Sequence, residues 1–163
     1  CLVGSEMCIR DRDTMARAKA LLERLGRQVV TLKKSVPGFL VNRFAQALFR
    51  ESLDLLEKHV ATPADIDRAV KYAVGMRYAS IGLLEYFDAV GFELERAIAE
   101  NVYPTLCNTD KIQKIVSDGI RDGRTGQKAG EGLYRWDEDS LADFRVRLQE
   151  PFLKSVENWT ARK

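Results

Sequence analysis

Val36-Pro37-Gly38-Phe39-Leu40-Val41-Asn42-Arg43 is the stretch that decides how this chain is organised. Just before it, Gln28-Val29-Val30-Thr31-Leu32-Lys33 is short and rich in β-branched residues, which predicts a strand. Just after it, Val41, Phe44, Ala45, Leu48, Ser52, Leu55 and Leu56 recur at helical spacing, and Leu40, Phe49 and Leu53 widen the stripe. The helix expected over 38–60 is therefore apolar around more than half of its circumference. Such a helix is either central to a fold or shared with a partner.

Working outward, residues 13–25 read as a helix through Met15, Ala18, Leu21, Leu22 and Leu25, with Gly26 placed to end it in left-handed backbone. One helix and one strand do not complete a sheet, so 13–35 reads as an αβ remnant of something larger. Downstream the pattern is helical throughout. Thr62-Pro63-Ala64-Asp65 supplies an N-cap, a first-turn proline and an acid near a helix start. That helix is expected to end at Gly75. Further helices are expected over 80–90, stopped by Gly91, over 93–101 with Pro104 disturbing the end, over 110–120, and over 140–159. A glycine-rich segment, 119–132, separates the last two. The fold class read from this pattern is all-α behind a short αβ segment.

Residues 1–12 are expected to be foreign to the protein. Leu2 to Arg12 is one reading frame of a transposase-type sequencing adapter, whose end ATG TGT ATA AGA GAC AG encodes Met7 to Arg12 once a base other than T or C closes the last codon. The rest is about 150 residues, enough for one domain with its own core. The formal net charge of +2, with both signs interspersed, gives no electrostatic case for nucleic acid or an anionic membrane surface. Beyond residue 12 the only cysteine is Cys107, so neither a disulfide framework nor a cysteine-based metal site is expected. No apolar run reaches the roughly 20 residues of a membrane-spanning helix. A cytoplasmic, reducing compartment is the expectation.

Three further segments stand in order behind the first. They are Ala64-Asp65-Ile66-Asp67, Gly82-Leu83-Leu84-Glu85-Tyr86-Phe87-Asp88-Ala89-Val90-Gly91, and Gly126-Gln127-Lys128-Ala129-Gly130-Glu131-Gly132-Leu133-Tyr134. Together the four resemble the 3-hydroxyacyl-CoA dehydrogenase family, in which the last strand of an NAD-binding domain hands over to a helical C-terminal domain. The last segment resembles the family's Lys-Thr-Gly-x-Gly-Phe-Tyr loop, with Ala129 and Leu133 as departures. The resemblance implies that 13–35 is the end of a Rossmann domain and that 36–163 is a helical substrate and dimerisation domain. It implies oxidation of an L-3-hydroxyacyl-CoA to the 3-oxoacyl-CoA with NAD as cofactor, in a homodimer. This chain by itself is then expected to be inactive.

Residue roles follow the same resemblance. Asn42 matches the asparagine of Phe-x-Val-Asn-Arg, which reaches the reacting end of the substrate and donates a hydrogen bond there without titrating. The bland alternative is that Asn42 satisfies a free N–H in the helix's first turn. Arg43 suits a structural ion pair, while Pro37 and Gly38 shape the turn. The family's Pro-Met-Gly-Pro turn is replaced by Ser80-Ile81-Gly82-Leu83, preceded by Met76-Arg77-Tyr78-Ala79 near the acyl end. Arg77 there would pair with a carboxylate and favour a compact polar hydroxy acid, against plain surface solvation. His59, the sole histidine, falls outside every matching motif and suits a capping role better than general-base work. The Gly126 to Tyr134 loop reads as structural closure rather than a phosphate cradle, since no strand precedes it. Two alternatives stay open: a dehydrogenase of a hydroxy acid that carries no CoA, and a non-enzymatic, crystallin-like helical module.

Overall fold

A computed structural model describes residues 12–160, with side-chain surroundings for 13–151. The reading of residues 1–11 lies outside the described residues. The chain falls into two compact units, residues 37–137 and the residues flanking them on both sides. Each is taken by itself.

In the flanking unit, helix α1 (Arg12–Arg24) forms as expected. Gly26, at φ 76°, follows it, with the Arg27 amide bonded to the Leu22 carbonyl and the Gly26 amide to that of Glu23. This is the Schellman arrangement, which a left-handed glycine permits without a Cβ clash. The strand expected over 28–33 does not form: no ladder partner exists among the described residues, and an extended run without one is not held as a strand. The unit's other helix is α8 (Glu138–Thr160), which contains Pro151.

The unit 37–137 is helical. Helix α2 (Val41–Glu57) opens behind Gly38 and Phe39, both at positive φ, 76° and 49°. It closes on His59, at φ 55°, with the Val60 amide on the Leu55 carbonyl and the His59 amide on Leu56. His59 thus occupies the left-handed position of a helix end, the capping role expected of it. Leu53, on α2, is the one fully buried hydrophobic side chain among the described residues.

Helix α3 (Pro63–Ala69) is capped by Thr62, whose hydroxyl oxygen accepts the Asp65 amide at 3.2 Å. The same hydroxyl donates to the Asp65 carboxylate at 2.7 Å and holds that carboxyl below the usual range. The helix does not end at Gly75. It widens into a π turn over Val70–Gly75 and continues as α4 (Met76–Ser80). Gly75 keeps helical backbone, φ −63° and ψ −48°, and a Cβ there would stand 3.2 Å from the Val70 carbonyl. Its missing side chain makes room for the wide turn rather than stopping the helix.

Ile81 is extended, and α5 (Leu83–Val90) starts three residues later than the expected helix. The Glu85 carboxylate accepts the Gly82 amide at 3.0 Å and so fixes that start. Gly91 separates α5 from α6 (Phe92–Val102), which tightens into a 3₁₀ turn at Tyr103–Thr105 where Pro104 lies. Helix α7 (Lys114–Arg121) begins four residues later than expected. Its start is set from outside: the Glu57 carboxylate of α2 accepts the Ile115 amide at 2.7 Å. A carboxylate on the first turn both satisfies a free donor and meets the positive end of the helix dipole. The glycine-rich segment closes as a knot of short turns, with bridges between Gly126 and Glu131 and between Glu131 and Arg135.

Candidate functional site

Asn42 stands in the first turn of α2, and its side-chain amide makes no hydrogen bond among the described residues. It lines an open cavity of about 600 Å³ between the first three turns of α2 and the segment 109–113. A helix rises about 1.5 Å per residue, so Asn42, Gln46 and Arg50, spaced four apart, run down one wall over about 12 Å. Arg43 lines it as well; Lys111, Ile112 and Gln113 form the opposite wall, with Phe44 and Phe49 adding apolar surface.

Three hydrogen bonds hold the two walls together, and a fourth ties Gln113 to Cys107 within one of them. Gln113 is 8% exposed, and its Nε2 donates to the Arg50 carbonyl at 2.8 Å and to Cys107 Sγ at 3.8 Å. Arg50 Nη1 donates to the Thr109 carbonyl at 3.2 Å. The Cys107 amide donates to Glu51 Oε2 at 2.8 Å. These side chains come from positions 50–57 and 107–115, far apart in sequence. Buried or half-buried polar groups with satisfied partners specify one register of α2 against the segment.

Arg77 is placed elsewhere. Its guanidinium carbon lies 4.7 Å above the Tyr86 ring, and Tyr86 meets Tyr78 and Phe87 edge to face at 6.2 and 5.2 Å. A cation over an aromatic face is held without using its N–H groups. Arg77 does not line the cavity that holds Asn42.

The glycine-rich segment closes on itself. The Gly126 amide is bonded to the Glu131 carbonyl, Gly132 to Tyr134, and Trp136 to Gly130, at 2.7, 2.8 and 2.8 Å. With these donors spent internally, the loop offers no cradle for a dinucleotide's phosphates. Tyr134 anchors it to α3 by donating to Asp67 Oδ2 at 2.7 Å, and partial burial together with that carboxylate pushes its hydroxyl pKa up to about 12. Among the described residues, no cluster of His, Cys, Asp and Glu has the arrangement to hold a metal ion. No described helix is long and apolar enough to cross a membrane.

Of the two residues singled out from sequence, Asn42 faces a cavity and Arg77 an aromatic cluster. Gln113, Lys111 and Arg50 were not singled out. The four-residue spacing of Asn42, Gln46 and Arg50 was the available signal, a polar row on an otherwise apolar helix. Nothing in the sequence pointed to 109–113 as the facing wall.

Residues 38–136 match the model of the 3-hydroxyacyl-CoA dehydrogenase C-terminal domain. A 5-formyl-3-hydroxy-2-methylpyridine 4-carboxylate 5-dehydrogenase of Mesorhizobium japonicum is 33% identical over 74% of this chain and 39% of its own length. An L-carnitine dehydrogenase of Burkholderia mallei is 35% identical over 80% of this chain and 44% of its own. The chain thus spans well under half the length of these relatives. The crystal structure of a 5-formyl-3-hydroxy-2-methylpyridine 4-carboxylic acid 5-dehydrogenase, an NAD+-dependent dismutase, is similar with a TM-score of 0.79 at 27% identity, covering 93% of this chain and 47% of that one.

Proposed function

The chain belongs to the 3-hydroxyacyl-CoA dehydrogenase family as its C-terminal domain, and on that footing we propose that it is the substrate-side part of an NAD-dependent dehydrogenase acting on a compact hydroxy acid. The observation that carries the reading is the placement of Asn42, with an uncommitted amide, in a cavity large enough for a small molecule. An amide in that position donates to the substrate oxygen on which negative charge gathers as the hydroxyl proton is removed ahead of hydride transfer, and it does so without changing its own charge. The relatives' names favour a free acid, since both act on carboxylates or carnitine rather than on a named CoA thioester. The CoA thioester remains the second reading, favoured by the family to which the Asn42 motif belongs.

NAD, when bound, would accept the hydride. Among the described residues the glycine loop does not fit the dinucleotide: its amides bond to its own carbonyls. The cofactor and the general base are assigned to the part of the relatives that this chain does not span. Arg77 is the second proposed substrate contact. Its guanidinium, laid over Tyr86, keeps N–H groups available for a carboxylate. Cys107, the one free cysteine among the described residues, accords with a reducing, cytoplasmic setting.

A second copy of this chain is the proposed partner. Val41, Leu84 and Phe92 are 79%, 82% and 71% exposed, more apolar surface than a lone helical unit carries at no cost. Sedimentation of the chain at micromolar concentration tests this, with a dimer mass expected and a monomer mass against it. For the substrate, the complete enzyme is assayed with NAD on a 3-hydroxy acid and on its CoA thioester. A higher kcat/KM for the free acid is expected, and a preference for the thioester would overturn that choice.

A further inference from the structure

We propose that the cavity beside Asn42 holds an anionic group of the ligand through Lys111 and Arg43, with Gln113 reading an adjacent hydroxyl. This deepens the reading above by assigning the residues that select the substrate, and it rests on that reading only for the identity of the acid. Arg77, outside the cavity, is then the competing site for the single carboxylate of such an acid, and the cavity is the one assigned to it here.

The first support is charge. Three cations, Arg43, Arg50 and Lys111, line the cavity with one acid, Asp110. Elsewhere in the unit Lys58, Arg68, Arg96, Arg121 and Arg124 are each ion-paired to a neighbouring acid, while Lys114, Lys128 and Arg135 form no ion pair among the described residues but do not line this cavity. Arg50 gives an N–H to the Thr109 carbonyl, whereas Arg43 and Lys111 form no ion pair among the described residues. Unpaired positive charge on a concave, partly apolar surface concentrates the field there and draws an anion. The arginine fork and the lysine ammonium both make charge-assisted hydrogen bonds to a carboxylate.

The second support is Gln113, more than nine-tenths buried in the same wall. Its Nε2 is spent on the Arg50 carbonyl, which fixes the plane of the amide. Its Oε1 accepts no hydrogen bond among the described residues, so it is the acceptor the wall offers to a ligand. An acceptor repels a carboxylate but suits a hydroxyl, and the cations beside it suit the carboxylate. Phe44, Phe49 and Ile112 cover the carbon skeleton between them. A hydroxy acid of a few carbons presents these groups together, and a cavity of about 600 Å³ lies within the usual range for small-molecule sites.

The test is an amide-resolved NMR titration of the full chain with 3-hydroxybutyrate, its neutral amide and inorganic phosphate. Shifts confined to 42–50 and 109–113 are expected with 3-hydroxybutyrate. Binding should fall about tenfold in Lys111→Gln and again in Arg43→Gln, by the loss of one charged hydrogen bond each. Lys128→Gln, which removes the same charge outside the cavity, should bind as the parent does. Equal binding of the neutral amide, equal binding of phosphate, unchanged affinity in both cavity variants, or no binding at all would each overturn the proposal. Because no turnover is measured, a failed dehydrogenase assay and a failed titration remain separate results.

Discussion

Replacing Gln113 tests whether the wall of the cavity is held as described. In Gln113→Leu the side chain keeps nearly its volume but loses the 2.8 Å bond to the Arg50 carbonyl and the longer contact with Cys107 Sγ. The Arg50 carbonyl lies inside α2 and keeps its own helix partner, so no orphaned acceptor remains. The cost is then one net hydrogen bond, about 1 kcal/mol. Gln113→Ala loses the same bond together with the packing of the Cγ methylene, at about 0.8 kcal/mol, giving about 1.8 kcal/mol in all. Urea unfolding of the two variants beside the parent gives both numbers, and the gap between them isolates the packing. If both variants unfold within 0.3 kcal/mol of the parent, a threshold set at about the usual error of additivity, the amide does not tie 107–113 to α2, and the account of the cavity wall fails.

Three further outcomes follow from the same geometry. His59→Gly should raise stability by about 0.5–1 kcal/mol, because the φ of 55° is one a glycine adopts without its Cβ meeting the backbone; an unchanged or lower melting temperature would count against that placement. Tyr134 has its hydroxyl pKa raised to about 12 in the folded chain, above the unfolded value near 10, so its stabilising contribution is intact below pH 10 and is lost as pH rises towards 12. The parent should therefore lose more melting temperature between pH 9 and 11.5 than Tyr134→Phe does, by a small margin since the side chain is partly exposed; parallel losses would sever the Asp67 link. Gly132→Ala would place its Cβ 2.8 Å from the Gly126 Cα, and the backbone shift that follows should cost about 1–3 kcal/mol in the same unfolding assay, a cost near zero being the contrary result.

Much of the fold was legible because its helices carry their own start and stop signals. Thr62-Pro63-Ala64-Asp65 capped a helix where those residues predict one, and Gly26 ended α1 in left-handed backbone. Where the reading missed, the determinant was remote or had two uses. Gly75 looks like a stop, yet a glycine also admits a wide turn, and only the surrounding backbone chooses between them. The start of α7 depends on Glu57, which lies more than fifty residues earlier. The run 28–33 has strand composition, but a strand exists only where a second one pairs with it. The cavity divides in the same way. Asn42, which lines it, was singled out from a local motif, whereas Gln113 and Lys111 reach it only through tertiary contacts that no local pattern encodes.

The most direct measurement is turnover of the complete dehydrogenase with Asn42→Ala, taken together with its melting temperature. The amide makes no hydrogen bond among the described residues, so its removal should leave stability nearly unchanged. Loss of a donor to the reacting oxygen should lower kcat by about 100-fold or more. That pairing is the predicted result. Turnover equal to the parent's would remove Asn42 from the site, and with it the claim that this chain supplies the substrate side of a dehydrogenase.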